Sequence, residues 1–467
     1  MLIPMKNLLI ICCLYSAHVF SQVTFEKTYS IFPNPQMYFV QELQNGGYIV
    51  CGKSLNLSDS TTDFSFFKTD FAGNVIWFKQ IIDTSFLYGN PTHEWATTIR
   101  EKPDGSYVFG GSVKDPFYSS SVAFYGWMDS SGIMISSTFK GSNWTTSVNA
   151  LLINTNGNIV STRDEREGAG HYANFLEINS PTGQYISGDW AGNYSIANQA
   201  LVQMRDRGYA TLSIEENTDQ NLIYLPIVSR FNSTGNIVWK KTFQYEVYSS
   251  DTQFVALCPS NDSGIVVCGY VKNGNILITK INANGDLLWT KAIDGFGIPV
   301  SIQQTSDGGY AVLGTLNNSM SLLKIDDNAN IVWMQSYANP MGDIKAVYFQ
   351  KTADKGFILL GNSVNGKTYI VKTDSTGNSN TITKTGKVDP AKVFSLYPDP
   401  FPSSINVSFP GNRLCIFSLC DVTGRIVFRK EIIGETETFD LSFIAPGIYC
   451  AFIPVDGYVL SKIILKQ

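Results

Sequence analysis

The chain has 467 residues, 44% hydrophobic and 13% aromatic with only 16% charged, which is too apolar for disorder and ample for a large core. Its formal net charge of −5 and the lack of any basic run exclude a nucleic-acid binder, which needs clustered Lys and Arg to displace counterions. The 39 glycines, with abundant Asn, Ser and Thr, announce frequent turns and therefore many short strands.

Residues 1–21 have the anatomy of a signal peptide. Lys6 precedes an apolar core from Leu8 to Leu14, and Val19 and Ser21 are small enough at positions −3 and −1 for cleavage before Gln22. The run is shorter than the roughly 20 apolar residues of a membrane span, so no transmembrane segment is expected here, and no later stretch qualifies. Neither Cys12 nor Cys13 follows the small residue that lipidation expects.

Beyond the leader one unit recurs seven times at spacings of 45 to 59 residues, the size of a four-stranded propeller blade. Each copy opens with a turn and an apolar strand, as in Asn45-Gly46-Gly47-Tyr48-Ile49-Val50 and Asp307-Gly308-Gly309-Tyr310-Ala311-Val312. The next strand ends in a long side chain, one further residue, then Asp or Asn. Lys68-Thr69-Asp70, Trp127-Met128-Asp129, Glu177-Ile178-Asn179, Arg230-Phe231-Asn232 and Lys372-Thr373-Asp374 are examples. A tight turn follows, with Gly in every copy but the sixth, which has Ala329. The strand after it carries Trp77, Trp239, Trp289 and Trp333 in one slot, with Ser136 and Ser187 there in copies two and three. Four of eight Trp in a single repeat position predict packing between blades. The Asp and Asn side chains are expected to cap their own turns, since none matches the calcium-loop spacing.

Cys51 and Cys268 share one repeat slot, which predicts small buried hydrophobes, while Cys258 and Cys268 flank one hairpin and could pair. Without a Cys-x-x-Cys, no zinc or redox role is expected. Copy seven stops after Gly377-Asn378 with no Trp-type strand, whereas Phe25-Glu26-Lys27-Thr28-Tyr29 mimics Trp239-Lys240-Lys241-Thr242-Phe243. The N-terminal strand should therefore complete the last blade and close the ring, removing exposed edges. These repeats resemble a family of secreted Bacteroidetes proteins built from D-G-G-Y and K-x-D-x-x-G-N-x-x-W blades. The resemblance covers residues 22–380 and implies architecture, since fold does not fix activity.

Connections between the second and third strands are long in the first four copies (residues 53–63, 112–121, 163–172 and 213–223) and short in the last three. A ligand is therefore expected over the first four blades. Two clusters stand there. One is Pro91-Thr92-His93-Glu94-Trp95; the other runs Arg163-Asp164-Glu165-Arg166-Glu167 and on to His171. A His–carboxylate pair could do acid–base work or hold a metal, and Trp190 could stack on a sugar ring. Solvated loop polarity and blade packing explain the same residues. There is no His-Glu-x-x-His, no Gly-x-Ser-x-Gly and no phosphate-cradling loop. The expectation is a module that binds a glycan, peptide or protein, with no catalytic residue, cofactor or metal. Its rival is an extracellular hydrolase or lyase using His93, Glu94, Asp164 and His171.

A polar linker, residues 381–392, precedes a second module over 393–467. Alternating runs broken by Gly and Pro predict a small immunoglobulin-like β-sandwich, so the whole chain is expected to be all-β. This tail resembles the type IX secretion sorting domain. The resemblance rests on Tyr397-Pro398-Asp399-Pro400, Asp421 with Gly424, Gly447 with Tyr449, and Lys462 with Lys466. The family usually has Asn where Asp399 stands. The resemblance implies reading by the outer-membrane type IX machinery and export through the periplasm, to the cell surface or beyond.

Overall fold

The computed structural model describes residues 23–81, 92–114, 121–140, 146–167, 171–192, 194–195, 201–217, 223–243, 253–271, 275–338, 342–379, 395–408, 414–421, 426–433, 436–455 and 458–467. The leader, the linker and Gly424 lie outside them. The chain forms two compact units, Met1–Ser379 and Asn380–Gln467. Among the described residues no helix is long and apolar enough to cross a membrane.

The first unit is a run of seven antiparallel meanders, a β-propeller fold. Blade 1 comprises strands Gln36–Glu42, Tyr48–Leu55, Thr62–Thr69 and Val75–Ile81, from innermost to outermost in the sheet order. Blades 2 to 6 follow over residues 93–140, 147–192, 194–242, 253–293 and 298–337. The innermost strand of blade 4 is split into Tyr194–Ser195 and Leu201–Gln203, both paired with Tyr209–Asn217. Blade 7 takes Ile344–Lys351, Phe357–Ser363 and Lys367–Thr373 from the end of the repeats. Its outermost strand is Phe25–Tyr29, paired antiparallel from Phe25↔Lys372 to Tyr29↔Thr368.

The repeated residues have repeated jobs. The long side chain ending the third strand pairs with the Asp of its own blade's first turn. Lys280 reaches Asp262 at 3.0 Å, Lys324 reaches Asp307 at 3.0 Å, Lys372 reaches Asp354 at 2.8 Å and Arg230 reaches Asp206 at 2.5 Å. The Asp or Asn that follows caps its own turn, as expected. Asp326 Oδ1 accepts the amides of Asn328 and Asn330, and Asp374 Oδ1 those of Thr376 and Asn378. Each Trp of the repeat slot lies on the next blade's turn. A Cβ at Gly132 would meet the Trp77 ring at 2.8 Å, and one at Gly377 the Trp333 ring at 2.6 Å, so those glycines make room for indoles. In blade 2, where the slot holds Ser136, Trp127 takes over and donates to the Pro181 carbonyl at 3.0 Å. In blade 3, Ser187 donates to Thr234 at 2.7 Å, as Trp239 does to Ala283 at 2.9 Å.

Innermost strands are joined by a second latch. Gln41 Oε1 accepts the Glu101 amide at 3.1 Å, Gln303 Oε1 the Lys351 amide at 2.8 Å, and Gln350 Oε1 the Glu42 amide at 3.0 Å. Glu101 in turn accepts the Gln44 amide at 2.6 Å, and Glu42 the Ala353 amide at 2.7 Å. The blade 7 to blade 1 junction thus carries the same bonds as the blade 1 to blade 2 junction.

Two expectations need correction. The segment 163–172 is not a long loop: strands Ile159–Glu167 and His171–Asn179 pair to their ends, with Glu167↔His171 in register. Likewise Tyr209–Asn217 and Ile223–Phe231 extend most of segment 213–223 as ladder. Backbone hydrogen bonding satisfies this polar stretch better than a loop would. Cys258 and Cys268 are buried free thiols facing Val266 and Ala256 across the ladder, so they do not pair with each other. Cys51 is buried and free too, as its slot predicts.

The second unit is two packed antiparallel sheets. Ser395–Tyr397, Ser404–Ser408 and Thr436–Asp440 form one; Ile426–Ile433, Leu414–Cys420, Gly447–Val455 and Tyr458–Lys466 form the other. Leu396, Ile405 and Phe439 meet Phe417, Leu419 and Ile464 in a shared core. Phe417 and Phe439 stack at 5.4 Å.

Candidate functional site

A cavity of about 390 Å³ lies among the innermost strands of the propeller. Arg100 of blade 2 lines it, with Tyr348 and Lys351 of blade 7. Blades 3 to 6 supply Ala150, Leu201, Val202, Leu257, Cys258 and Ile302, while Asn261, Gln303, Gln304, Thr305 and Ser306 add polar groups. Many of these residues sit at the ends of the innermost strands or in the first turns after them. The cavity therefore lies toward the face of the short turns, not the face of the second-to-third connections. Its size falls within the usual range for small-molecule sites, and its walls mix apolar surface with a few polar groups in the manner of such sites.

Arg100 is the unusual member. Its guanidinium carbon sits 4.2 Å from the Phe39 ring centroid, and Phe39 packs on Tyr348 at 4.3 Å. Burial lowers the Arg100 pKa, with the Tyr348 hydroxyl opposing that effect by charge and hydrogen bond. One guanidinium nitrogen donates to the Ile99 carbonyl at 3.0 Å. Lys351 Nζ donates to the Gln304 carbonyl at 3.3 Å. No carboxylate lines the cavity among the described residues.

None of the sequence-predicted ligand residues lines this cavity. His93 starts the innermost strand of blade 2, and its Nδ1 accepts the Thr62 amide at 3.2 Å. Glu94 is fully buried and accepts from the Thr92 hydroxyl at 2.8 Å. The Lys53 ammonium lies 5.8 Å from the Trp95 ring. Nearby Asp63 is 1% exposed; burial and then the Asp59 charge push its pKa up to about 6, against the opposing effect of Asn56 and Thr61. In blade 3, Arg163 reaches the buried Glu177 at 3.4 Å, and Glu177 accepts the Tyr125 hydroxyl at 2.5 Å. Asp164 accepts from Asn149 at 2.8 Å and Asn174 at 3.3 Å. These groups are tied into hydrogen-bond networks. Arg163 and Trp190 do converge, on the Phe175 ring, at 5.3 and 5.1 Å, with Trp190 42% exposed. Arg166 and His171 are strand residues facing Tyr172 and Glu167 in the ladder.

Arg100 was legible in principle. The residue two places before each first turn's opening position reads Gln41, Arg100, Leu152, Val202, Cys258, Gln303 and Gln350, and Arg is the one charge in the series. The slot precedes the turn signal and varies in character, which hides it from a search for repeated motifs.

In the second unit the motif residues converge. Asp399 Oδ1 accepts the Leu465 amide at 3.0 Å, and Phe401 exchanges backbone bonds with Leu465 and Gln467, both at 3.0 Å. Lys466, 5% exposed, donates to the carbonyls of Leu441, Ser442 and Ile444 at 2.8, 3.3 and 2.7 Å. The Tyr449 hydroxyl donates to Ala445 at 2.6 Å, and the peptide bonds preceding Pro398 and Pro400 are cis. Lys462 is exposed and Asp421 partly buried. An Asn in place of Asp399 would present the same acceptor oxygen, which explains why the departure leaves the geometry intact.

No curated protein sequence matches the chain. Among solved structures, virginiamycin B lyase from Staphylococcus aureus is similar at 11% identity, over 75% of this chain and 99% of that one, with a TM-score of 0.49. The β-propeller domain of the Trilobed protease from Pyrococcus furiosus is similar at 13% identity, over 76% and 100%, with a TM-score of 0.47. The propeller assignment rests on the seven sheets themselves. Residues 395–467 match the secretion system C-terminal sorting domain, so this chain carries the sorting tail of secretion cargo.

Proposed function

We propose that the protein is type IX secretion cargo whose propeller is a ligand-binding module rather than an enzyme. In this reading residues 1–21 are a cleaved leader, the tail is an immunoglobulin-like sorting domain, and the propeller is a closed ring displayed at the cell surface or released. The match of residues 395–467 to the sorting domain carries the export half of the proposal. Ring closure is supported by the pairing of Phe25–Tyr29 with blade 7 and by the shared latch at the blade 7 to blade 1 junction. Binding is supported by the central cavity, whose lining offers cations, amides and apolar surface but no nucleophile activated by a neighbouring base. A second surface for glycan is the exposed Trp190, which meets the Phe175 ring edge-on beside Arg163. Deleting residues 391–467 tests the export half: the propeller should then accumulate in the periplasm. Its arrival at the surface without the tail would overturn the assignment.

A further inference from the structure

We propose that the central cavity binds a small organic carboxylate through the Arg100 guanidinium. The proposal rests on the reading of the propeller as a binding module and names the chemistry of its ligand.

Arg100 occupies the slot that holds the latch glutamine in blades 1, 6 and 7. There Gln41, Gln303 and Gln350 each accept an amide of the next blade. A guanidinium has five donors and no acceptor, so Arg100 contributes nothing to that latch. Its place in the fold costs desolvation instead, and among the described residues no carboxylate pairs with it. Its partners, the Phe39 ring at 4.2 Å, the Ile99 carbonyl and the Tyr348 hydroxyl, are not carboxylates and do not neutralise the desolvated cation as an anion would. Arg100 lines the cavity together with Tyr348 and Lys351. A cation held against an aromatic ring in this way is preorganised for a planar anion.

The rest of the lining selects the class. Lys351 adds a second positive group, while Leu201, Val202, Leu257 and Ile302 offer an apolar wall suited to the body of an organic acid. About 390 Å³ accommodates a sugar acid or the last two residues of a peptide, and excludes a folded chain. Inorganic phosphate would leave the apolar wall unused.

The test titrates the purified full chain with D-glucuronate, D-glucose, N-acetyl-Ala-Ala as free acid and as amide, and inorganic phosphate, read by calorimetry. At least one carboxylate should bind, with its neutral counterpart about tenfold weaker or worse. Glucuronate alone points to acidic glycans; the peptide acid alone points to chain ends. Arg100→Gln should weaken binding about tenfold or more. Val202→Trp, from a partly exposed wall position away from the guanidinium, should block it even if the Arg100 variant fails to fold. Absence of carboxylate binding, equal binding of the neutral forms, preference for phosphate, or undiminished binding in a folded Arg100→Gln chain would each overturn the proposal. Binding of a neutral ligand elsewhere would leave the broader binding-module reading standing.

Discussion

Lys372 donates to both oxygens of Asp354, at 3.0 and 2.8 Å, and to the Thr373 carbonyl at 2.8 Å. Burial alone would raise the Asp354 pKa, but the hydrogen bonds from Lys372 and Thr352 and the Lys372 charge outweigh it, and the net shift is downward. Asp262 and Asp307 behave alike beside Lys280 and Lys324. A carboxyl whose folded pKa is depressed stabilises above its unfolded value, near about 4, and loses that contribution as pH falls through the folded value. Asp63 has the opposite sign. Its folded pKa of about 6 lies above the unfolded value, so its contribution is complete in acid and is lost as pH rises through 6. Asp63→Asn should therefore stabilise the protein at pH 7 by roughly 2 kcal/mol and change little at pH 4. Urea unfolding at the two pH values checks this; an equal gain at both would mean that ionisation is not the cause.

At the scale of elements, the last strand of the sorting domain is pinned at two points, by the Asp399 carboxylate and the Lys466 ammonium. Lys466→Met keeps the stem but removes the shared donor of the Leu441, Ser442 and Ile444 carbonyls, and should lower the stability of the second unit by about 2 kcal/mol. Asp399→Asn should be nearly silent, while Asp399→Ala should cost about 1 kcal/mol. Comparing the three by thermal unfolding of the full chain separates an acceptor role for Asp399 from a charge role. These strands were readable because Tyr397-Pro398-Asp399-Pro400 and Lys462-Ile463-Ile464-Leu465-Lys466 are dense local patterns. The blades were readable for a related reason: the turns recur in every copy, and the Lys–Asp pairs and Trp slots meet the same neighbours wherever they occur. Where neighbours differ, the signal fades. Arg163-Asp164-Glu165-Arg166-Glu167 reads as loop because its run of charges breaks apolar alternation, yet it is held as strand by ladder bonds to His171–Asn179. Arg100 escaped notice because the innermost strand precedes the turn that marks each repeat.

For the molecule as a whole, everything depends on the junction between the first and last blades. Three contacts recur there from ordinary junctions. Phe25 covers Gly73 as Trp333 covers Gly377, and Tyr29 donates to the Gly73 carbonyl at 2.8 Å as Tyr337 donates to Gly377 at 2.5 Å. Gln350 accepts the Glu42 amide at 3.0 Å as Gln41 accepts the Glu101 amide at 3.1 Å. The latch at this junction joins residues more than 300 positions apart, as in Glu42 to Gln350 at a separation of 308. Such contacts form only after most of the chain is in place, so in the proposed closed ring closure is a late step in folding. On the proposed export route, the chain would cross the inner membrane before its first strand could find its partner. Thermodynamically, though, a closed ring makes this junction equivalent to the others. Gln350→Ala and Gln41→Ala should then each cost about 1 kcal/mol and leave the steepness of unfolding unchanged. Were blade 7 docked loosely, Gln350→Ala would cost almost nothing while Gln41→Ala kept its full effect. Urea denaturation of the two variants side by side distinguishes these outcomes, because both lose the same amide-to-amide hydrogen bond and differ only in whether the junction it belongs to is held on both sides.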